Sequence, residues 1–171
     1  MELPTPHNNL FQFVLSYLPH ARSMLACFLN QKALAEFKLE TLQLEGTSFL
    51  DANLRKKYSD ALFSVELVDF AAGDEPHPAQ QESHSARRGL VYLLFEHKST
   101  PEPLAVFQLL SYVVRIGERE LRAGRTIGPI VPILLYHGEA AWTGPRSFEE
   151  LIRAPEPLAE YQVLLSPLFV D

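Results

Sequence analysis

The chain has 171 residues, of which 47% are hydrophobic and 21% are charged. This is the length of one domain and the composition of a globular protein, which excludes a wholly disordered or fibrous chain. The net charge of −6 excludes a large basic surface that holds nucleic acid by charge alone, although a confined basic cleft stays open. The single cysteine, Cys27, excludes an internal disulfide and favours a reducing compartment.

The sequence shows neither a secretory signal nor an apolar run near the roughly 18 residues that a membrane-spanning helix needs. We therefore expect a cytoplasmic protein without a membrane segment. It also lacks a glycine-rich phosphate-binding motif, so no nucleotide cofactor is expected. Cys27 lies among apolar residues and is predicted to be a small core side chain.

The first predicted element is a helix over residues 8–30, broken or restarted at Pro19. Strands are then predicted over Leu42–Leu50, Ala61–Phe70 and Gly89–Lys98, with a polar loop over Ala71–Arg88. The later elements are a helix over Leu104–Arg122 ending at Gly124, a strand over Ile130–Tyr136, a short helix over Phe148–Arg153 and a strand over Tyr161–Leu165. Pro132 indicates an edge or a bulge in its strand. This order predicts an α/β fold in which helices flank both faces of a mixed central β-sheet.

Charged residues stand where two of these strands begin or end. Asp60 directly precedes the second predicted strand, and Glu96 and Lys98 share one face at the end of the third, with His97 on the other face. Two carboxylates at neighbouring strand ends can bind a hard divalent cation, and a nearby lysine can orient a metal-bound water. The alternative is an ion-paired rim, because unpaired charges are costly to bury.

The long helix carries a polar stripe at helical spacing: Gln108, Tyr112, Arg115, Arg119 and Arg122. Its apolar residues are predicted on the opposite side: Phe107, Leu110, Val114 and Leu121. The arginines would face the phosphates of a nucleic acid. The alternative is a solvated face on which they pair with Glu118 and Glu120.

An aspartate, then Glu-x-Lys, then Gln-x-x-x-Tyr on a helix resembles the PD-(D/E)XK nuclease superfamily. More narrowly, the chain is similar over its whole length to the Rpn/YhgA-like group of recombination-promoting nucleases. The most specific segments are Glu96-His97-Lys98-Ser99 and the strand from Pro129 to Tyr136-His137-Gly138. The resemblance implies a restriction-endonuclease-like αβββαβ core in one domain over residues 1–171. It also implies that the C-terminal region of longer family members is missing here.

On this resemblance the protein is a DNA endonuclease with little sequence specificity, linked to recombination and dependent on Mg²⁺, Mn²⁺ or Ca²⁺. Asp60 and Glu96 would bind the metal with the main chain at His97, Lys98 would be the catalytic lysine, and Gln108 and Tyr112 would support it. Further candidate DNA contacts are Lys56, Lys57, Arg115, Arg119 and Arg122. The alternative is a catalytically inactive nuclease fold that binds nucleic acid or a protein partner. A third alternative is a dimeric interaction domain in which the apolar helices of residues 8–30 pair with another chain, and it is compatible with the endonuclease.

Overall fold

The computed structural model describes residues 13–46, 59–68, 88–96 and 102–170. Residues 13–16 are helical. The helices that follow are α1 (Leu18–Phe28), α2 (Gln31–Ala35) and α3 (Ala105–Arg122), with 3₁₀ turns at Glu149–Leu151 and Glu156–Tyr161. The strands are β1 (Phe37–Glu45), β2 (Ser59–Leu67), β3 (Arg88–Glu96), β4 (Ile130–Tyr136) and β5 (Leu168–Val170). Within these ranges no helix is long and apolar enough to cross a lipid bilayer.

The strands form one mixed sheet in the order β1-β2-β3-β4-β5. The strands β1, β2 and β3 are antiparallel, whereas β4 runs parallel to both β3 and β5. Helix α3 lies between β3 and β4 in the chain, as a parallel connection requires. Pro132 pairs with β3, while the pairing of β4 with β5 begins one residue later at Ile133. The proline, which lacks an N–H donor, therefore lies beyond the stretch that has strands on both sides.

Each face of the sheet has its own hydrophobic cluster, so the predicted mixed α/β architecture is confirmed. Successive residues of β2 belong to different clusters, because successive side chains along a strand point to opposite faces of the sheet. Ala61 and Phe63 pack with Ala21 and Leu25 of α1. Leu62 packs on the other face against α3, together with Tyr136 at the end of β4 and the nearby Trp142.

The predicted N-terminal helix is interrupted before Pro19, as expected. A new helix begins at Leu18 with the proline in its first turn, where a missing N–H leaves no helical hydrogen bond unmade. Cys27 is exposed, so its prediction as a core residue was wrong. It lies two residues after the buried Leu25, and two residues on a helix turn the side chain toward the opposite face.

Asn30 caps the short helix α2, since its side-chain Oδ1 accepts a hydrogen bond of 2.9 Å from the backbone N–H of Ala33. Changing Asn30 to alanine is expected to lower the free energy of unfolding by about 1 kcal/mol, because that N–H loses its acceptor. Urea unfolding followed by circular dichroism measures the change, and Asn30→Asp, which keeps an acceptor, is the control. Equal stability of the alanine variant and the wild type would contradict this assignment.

Three strand predictions need correction. The first strand begins at Phe37 rather than Leu42, because a bulge between Lys38 and Gln43 breaks the alternation that marks a strand in the sequence. The second strand begins at Ser59, so Asp60 lies within it rather than before it. The last strand is β5, because Tyr161 and Leu164 of the predicted strand are exposed and unpaired in the sheet.

The predicted faces of the long helix were also wrong. The buried face carries Ala105, Val106, Leu109, Tyr112, Ile116, Gly117 and Glu120. Phe107, Val114 and Leu121 are each more than half exposed. Gly117 on the buried face leaves room for the side chain of Ile127, whose Cδ1 atom would lie 3.2 Å from an added Cβ. Phe107 and Val114 line, with Arg115 and Arg122, an open groove of about 950 Å³ on the outer side of α3.

Candidate active site

The sheet brings Asp60 and Glu96 to the same end of two neighbouring strands. Asp60 is the second residue of β2 and its Cα partner is Leu94, whereas Glu96 ends β3 two residues further along. The two acidic residues are therefore diagonal neighbours, whose Cα atoms in an antiparallel pair lie about 7–8 Å apart. Since side chains alternate along a strand, both residues belong to the same face of the sheet.

That face is the one covered by α3. Leu62, two residues after Asp60 on β2, packs in the cluster that contains the helix. Tyr136, whose Cα is the partner of Glu96 on the parallel strand β4, packs in the same cluster. The acidic pair thus lies at the edge of a layer formed by the sheet and the helix.

The two helix residues predicted to support the site lie on or near the inner side of α3. Tyr112 is fully buried in the cluster with Leu62 and Tyr136. Gln108, one turn earlier, has a buried Oε1 for which the described residues supply no hydrogen-bond donor. Buried amide oxygens nearly always accept a hydrogen bond. This oxygen can therefore accept one from an ammonium group, a water molecule or a substrate hydroxyl.

Two of the predicted DNA-binding arginines form ion pairs within the protein. Arg119 contacts Glu120 at 2.9 Å and Glu45 at 3.8 Å. Arg122 contacts Glu118 at 3.3 Å, on the exposed surface. This is the pairing that the alternative interpretation of the stripe anticipated. Contact of these arginines with DNA stays a prediction.

Arg115 differs from these two, since no ion pair joins it to a residue in the described ranges. It lines the groove on the outer side of α3. The remaining predicted site residues are Lys56, Lys57, His97 and Lys98. These four lie outside the described residues, and their roles stay predictions.

Sequence analysis anticipated the pairing of Arg119 with Glu120, but not the wider charge network at the C-terminal end of α3. Glu120 is buried there and accepts hydrogen bonds from Arg119 at 2.9 Å and from Arg125 at 2.6 Å. The hydrogen bond from Arg125, followed by that from Arg119, lowers the pKa of Glu120 from 4.5 to about 2, although burial acts in the opposite direction. Glu45, the second partner of Arg119, accepts a hydrogen bond of 2.7 Å from the buried Ser64.

This network joins β1, β2, α3 and the segment that follows the helix. It lies at the opposite end of the α3 layer from the acidic pair, because Ser64 is four residues along β2 from Asp60 and Glu120 is three turns along α3 from Gln108. The only sequence signal was the mixture of arginine and glutamate in the last turns of the helix. The network is therefore assigned to stability rather than to the candidate site.

Comparison with known proteins gives one family and several curated relatives. The family described as "Putative transposase, YhgA-like" matches residues 5–73 and 80–168. Recombination-promoting nuclease RpnA of Escherichia coli K12 is 36% identical over 135 residues, which cover 78% of this chain and 40% of that protein. The inactive recombination-promoting nuclease-like protein RpnE of the same strain is 33% identical over 138 residues, which cover 80% of this chain and 40% of that protein.

A third relative, recombination-promoting nuclease RpnD of Escherichia coli O157:H7, is 27% identical over 173 residues, with coverage of 94% of this chain and 60% of that protein. The chain thus spans between about two fifths and three fifths of the length of these relatives. No solved structure gives a significant match to it.

Proposed function

Since this chain belongs to the YhgA-like family of recombination-promoting nucleases, we propose that it is a metal-dependent DNA endonuclease with a PD-(D/E)XK core. The observation that carries the proposal is the diagonal pairing of Asp60 and Glu96 on one face and at one end of the sheet. The order of α1 and α2, three strands, α3 and β4 is compatible with the αβββαβ arrangement of that core.

The residues present fit a hard divalent cation, Mg²⁺ or alternatively Mn²⁺ or Ca²⁺. Carboxylate oxygens bind such ions at about 2.0–2.6 Å, and carboxylates on diagonal neighbours can reach a shared ion between them. Asp60 and Glu96 would supply these oxygens, and the main-chain carbonyl of His97 would supply a third. When bound, the ion lowers the pKa of a coordinated water and stabilises negative charge on the phosphodiester.

Lys98 and the helix residues would complete the site. Lys98 follows Glu96 by two positions, and its ammonium group would orient the attacking water toward the phosphorus atom. The buried Oε1 of Gln108 would accept a hydrogen bond from Lys98 or from the water that it holds. Tyr112, fully buried below the helix, would fix the distance between α3 and the sheet.

The substrate would be bound through its backbone, which accounts for the expected lack of sequence preference. Lys56, Lys57 and Arg115 are the proposed phosphate contacts. Arg119 and Arg122 could contribute only by exchanging a glutamate partner for a phosphate. In a protein of net charge −6 the affinity for DNA would fall steeply as the salt concentration rises.

A second candidate function is a nuclease fold without catalysis that binds nucleic acid or a protein partner. It is favoured by the name of RpnE, which is described as inactive although it is nearly as similar to this chain as RpnA is. The presence of glutamate and lysine at positions 96 and 98, with Asp60 on the neighbouring strand, supports the active alternative.

The decisive experiment is the conversion of supercoiled plasmid to nicked or linear DNA in Mg²⁺, Mn²⁺, Ca²⁺ and EDTA. Wild-type protein is compared with Asp60→Ala and Lys98→Ala. We expect cleavage by the wild type that depends on the metal and is lost in both variants. Cleavage that survives in the variants would place the chemistry elsewhere or in a contaminant. Binding of DNA in EDTA without cleavage in any metal would favour the second function.

A further inference from the structure

The strand that lies beside Glu96 ends in a compact aromatic unit. The Cα atom of Tyr136, the last residue of β4, is the register partner of that of Glu96, the last residue of β3. Register partners in a parallel pair belong to the same face, and neighbouring strands lie about 4.8 Å apart. Tyr136 therefore stands next to one of the two proposed metal ligands, on the face covered by α3.

The side chain of Tyr136 contacts the segment that follows β4. Its ring is buried, and its hydroxyl group donates a hydrogen bond of 2.8 Å to the carbonyl oxygen of Ala140. The ring lies directly over Gly138, where an added Cβ would overlap the phenol. This close approach explains why a glycine stands two residues after the tyrosine in the Tyr-His-Gly segment.

Trp142 packs against Tyr136 and completes the aromatic unit. Its indole meets the ring of Tyr136 edge to face, with ring centroids 5.1 Å apart, and is itself only 6% exposed. The same indole covers Gly144, where an added Cβ would lie 2.8 Å from its Cζ2 atom. Two aromatic rings that each cover a glycine thus fix the segment directly after β4.

We propose that Tyr136, Gly138 and Trp142 form a positioning unit that holds the end of β4 against β3 and so sets the metal affinity of the Asp60–Glu96 pair. The inference rests on the proposed function. Metal ligands must be placed to within about 0.5 Å, and loss of a group that supports them typically lowers metal affinity by about ten- to a hundredfold. A displaced β4 end would shift the backbone of Glu96, because the two strand ends share one hydrogen-bonded ladder.

The test measures Mn²⁺ binding by isothermal titration calorimetry, together with the melting temperature. Gly138→Ala places a methyl group in the volume of the Tyr136 ring and is expected to weaken Mn²⁺ binding about tenfold. Gly124→Ala is the matched control, because Gly124 has a φ of +70° that disfavours alanine and lies at the C-terminal end of α3, away from the acidic pair. This control should lower the melting temperature and leave Mn²⁺ affinity unchanged.

Two further variants keep the test informative if Gly138→Ala does not fold. Tyr136→Phe retains the ring and removes only the hydrogen bond to Ala140, and is expected to weaken Mn²⁺ binding about threefold. In a Tyr136→Ala background, Gly138→Ala should cause no additional loss, because the ring that it would meet is absent.

Unchanged Mn²⁺ affinity in both Gly138→Ala and Tyr136→Phe would overturn the inference and leave the proposed metal site standing. The positioning role would be overturned equally if Gly124→Ala weakened Mn²⁺ binding as much as Gly138→Ala does. A wild-type protein that binds no Mn²⁺ would instead overturn the metal site, and the positioning role with it.

Discussion

Changing Glu96 to glutamine is expected to weaken Mn²⁺ binding by at least about a hundredfold and to abolish metal-dependent DNA cleavage. Glutamine preserves the length of the side chain and the hydrogen bonds of the β3 backbone, but it removes one of the two negative charges that diagonal pairing brings together. Hard divalent cations are held mainly by such charged oxygens. Calorimetric titration with Mn²⁺ and the plasmid assay measure the two losses separately.

The matched control for this experiment is Glu66→Gln. Glu66 is on β2, on the same face as Asp60 but six positions further along, where it contacts Lys38 at 3.9 Å on the surface. This variant should bind Mn²⁺ as the wild type does. If Glu96→Gln kept its affinity, or Glu66→Gln lost as much, the acidic pair would not be the metal site.

Changing Glu120 to glutamine is expected to lower the free energy of unfolding at neutral pH by about 2–3 kcal/mol. The substitution removes the carboxylate that accepts hydrogen bonds from both Arg119 and Arg125. The positive charges of the two arginines then lose their negative partner, and loss of one member of a buried ion pair is strongly destabilising. Urea unfolding measures the loss. Glu118→Gln is the control on the same helix: its exposed pair with Arg122 should contribute less than about 0.5 kcal/mol.

The same carboxylate should make stability depend on acidity. Because the pKa of Glu120 is about 2 in the folded protein, against 4.5 for the free side chain, the stabilisation is complete above about pH 5 and is lost as the pH falls toward 2. The difference corresponds to about 3 kcal/mol at most. The free energy of unfolding of the wild type should therefore approach that of Glu120→Gln across this interval. Parallel curves for the two proteins between pH 5 and pH 2 would contradict the assignment.

The central strands could be predicted because their burial shows in their composition. Continuous apolar runs marked β3 and β4 to within two residues at each end. The two outer strands of the sheet were harder to predict from the sequence, since a bulge interrupts β1 and β5 has only three residues. The apolar segment that includes Tyr161 and Leu164 misled the prediction because its side chains are exposed.

The buried side of α3 could not be deduced from hydrophobicity, since both sides carry apolar residues. The buried side includes Ala105, Gly117 and the charged Glu120, which a hydrophobicity pattern does not mark as core residues. Glu96 was predicted near the end of its strand, whereas Asp60 was predicted before its strand and lies within it, and only the register shows that the two residues share a face. The ion pairs of Arg119 were partly anticipated through Glu120, whereas Glu45 comes from β1, which sequence spacing along the helix does not reveal.

The connection between the antiparallel strands β2 and β3 also offers a site for chemical labelling. The pairing of Glu66 with Arg88 shows that the connection between these strands joins the ends remote from Asp60 and Glu96. The family match skips residues 74–79 within that connection. A peptide tag inserted there, or a cysteine placed there after replacement of the exposed Cys27, would allow the protein to be immobilised or made fluorescent. The end of the sheet that carries Asp60 and Glu96 would then face away from the support, which suits a test of the proposed binding to DNA.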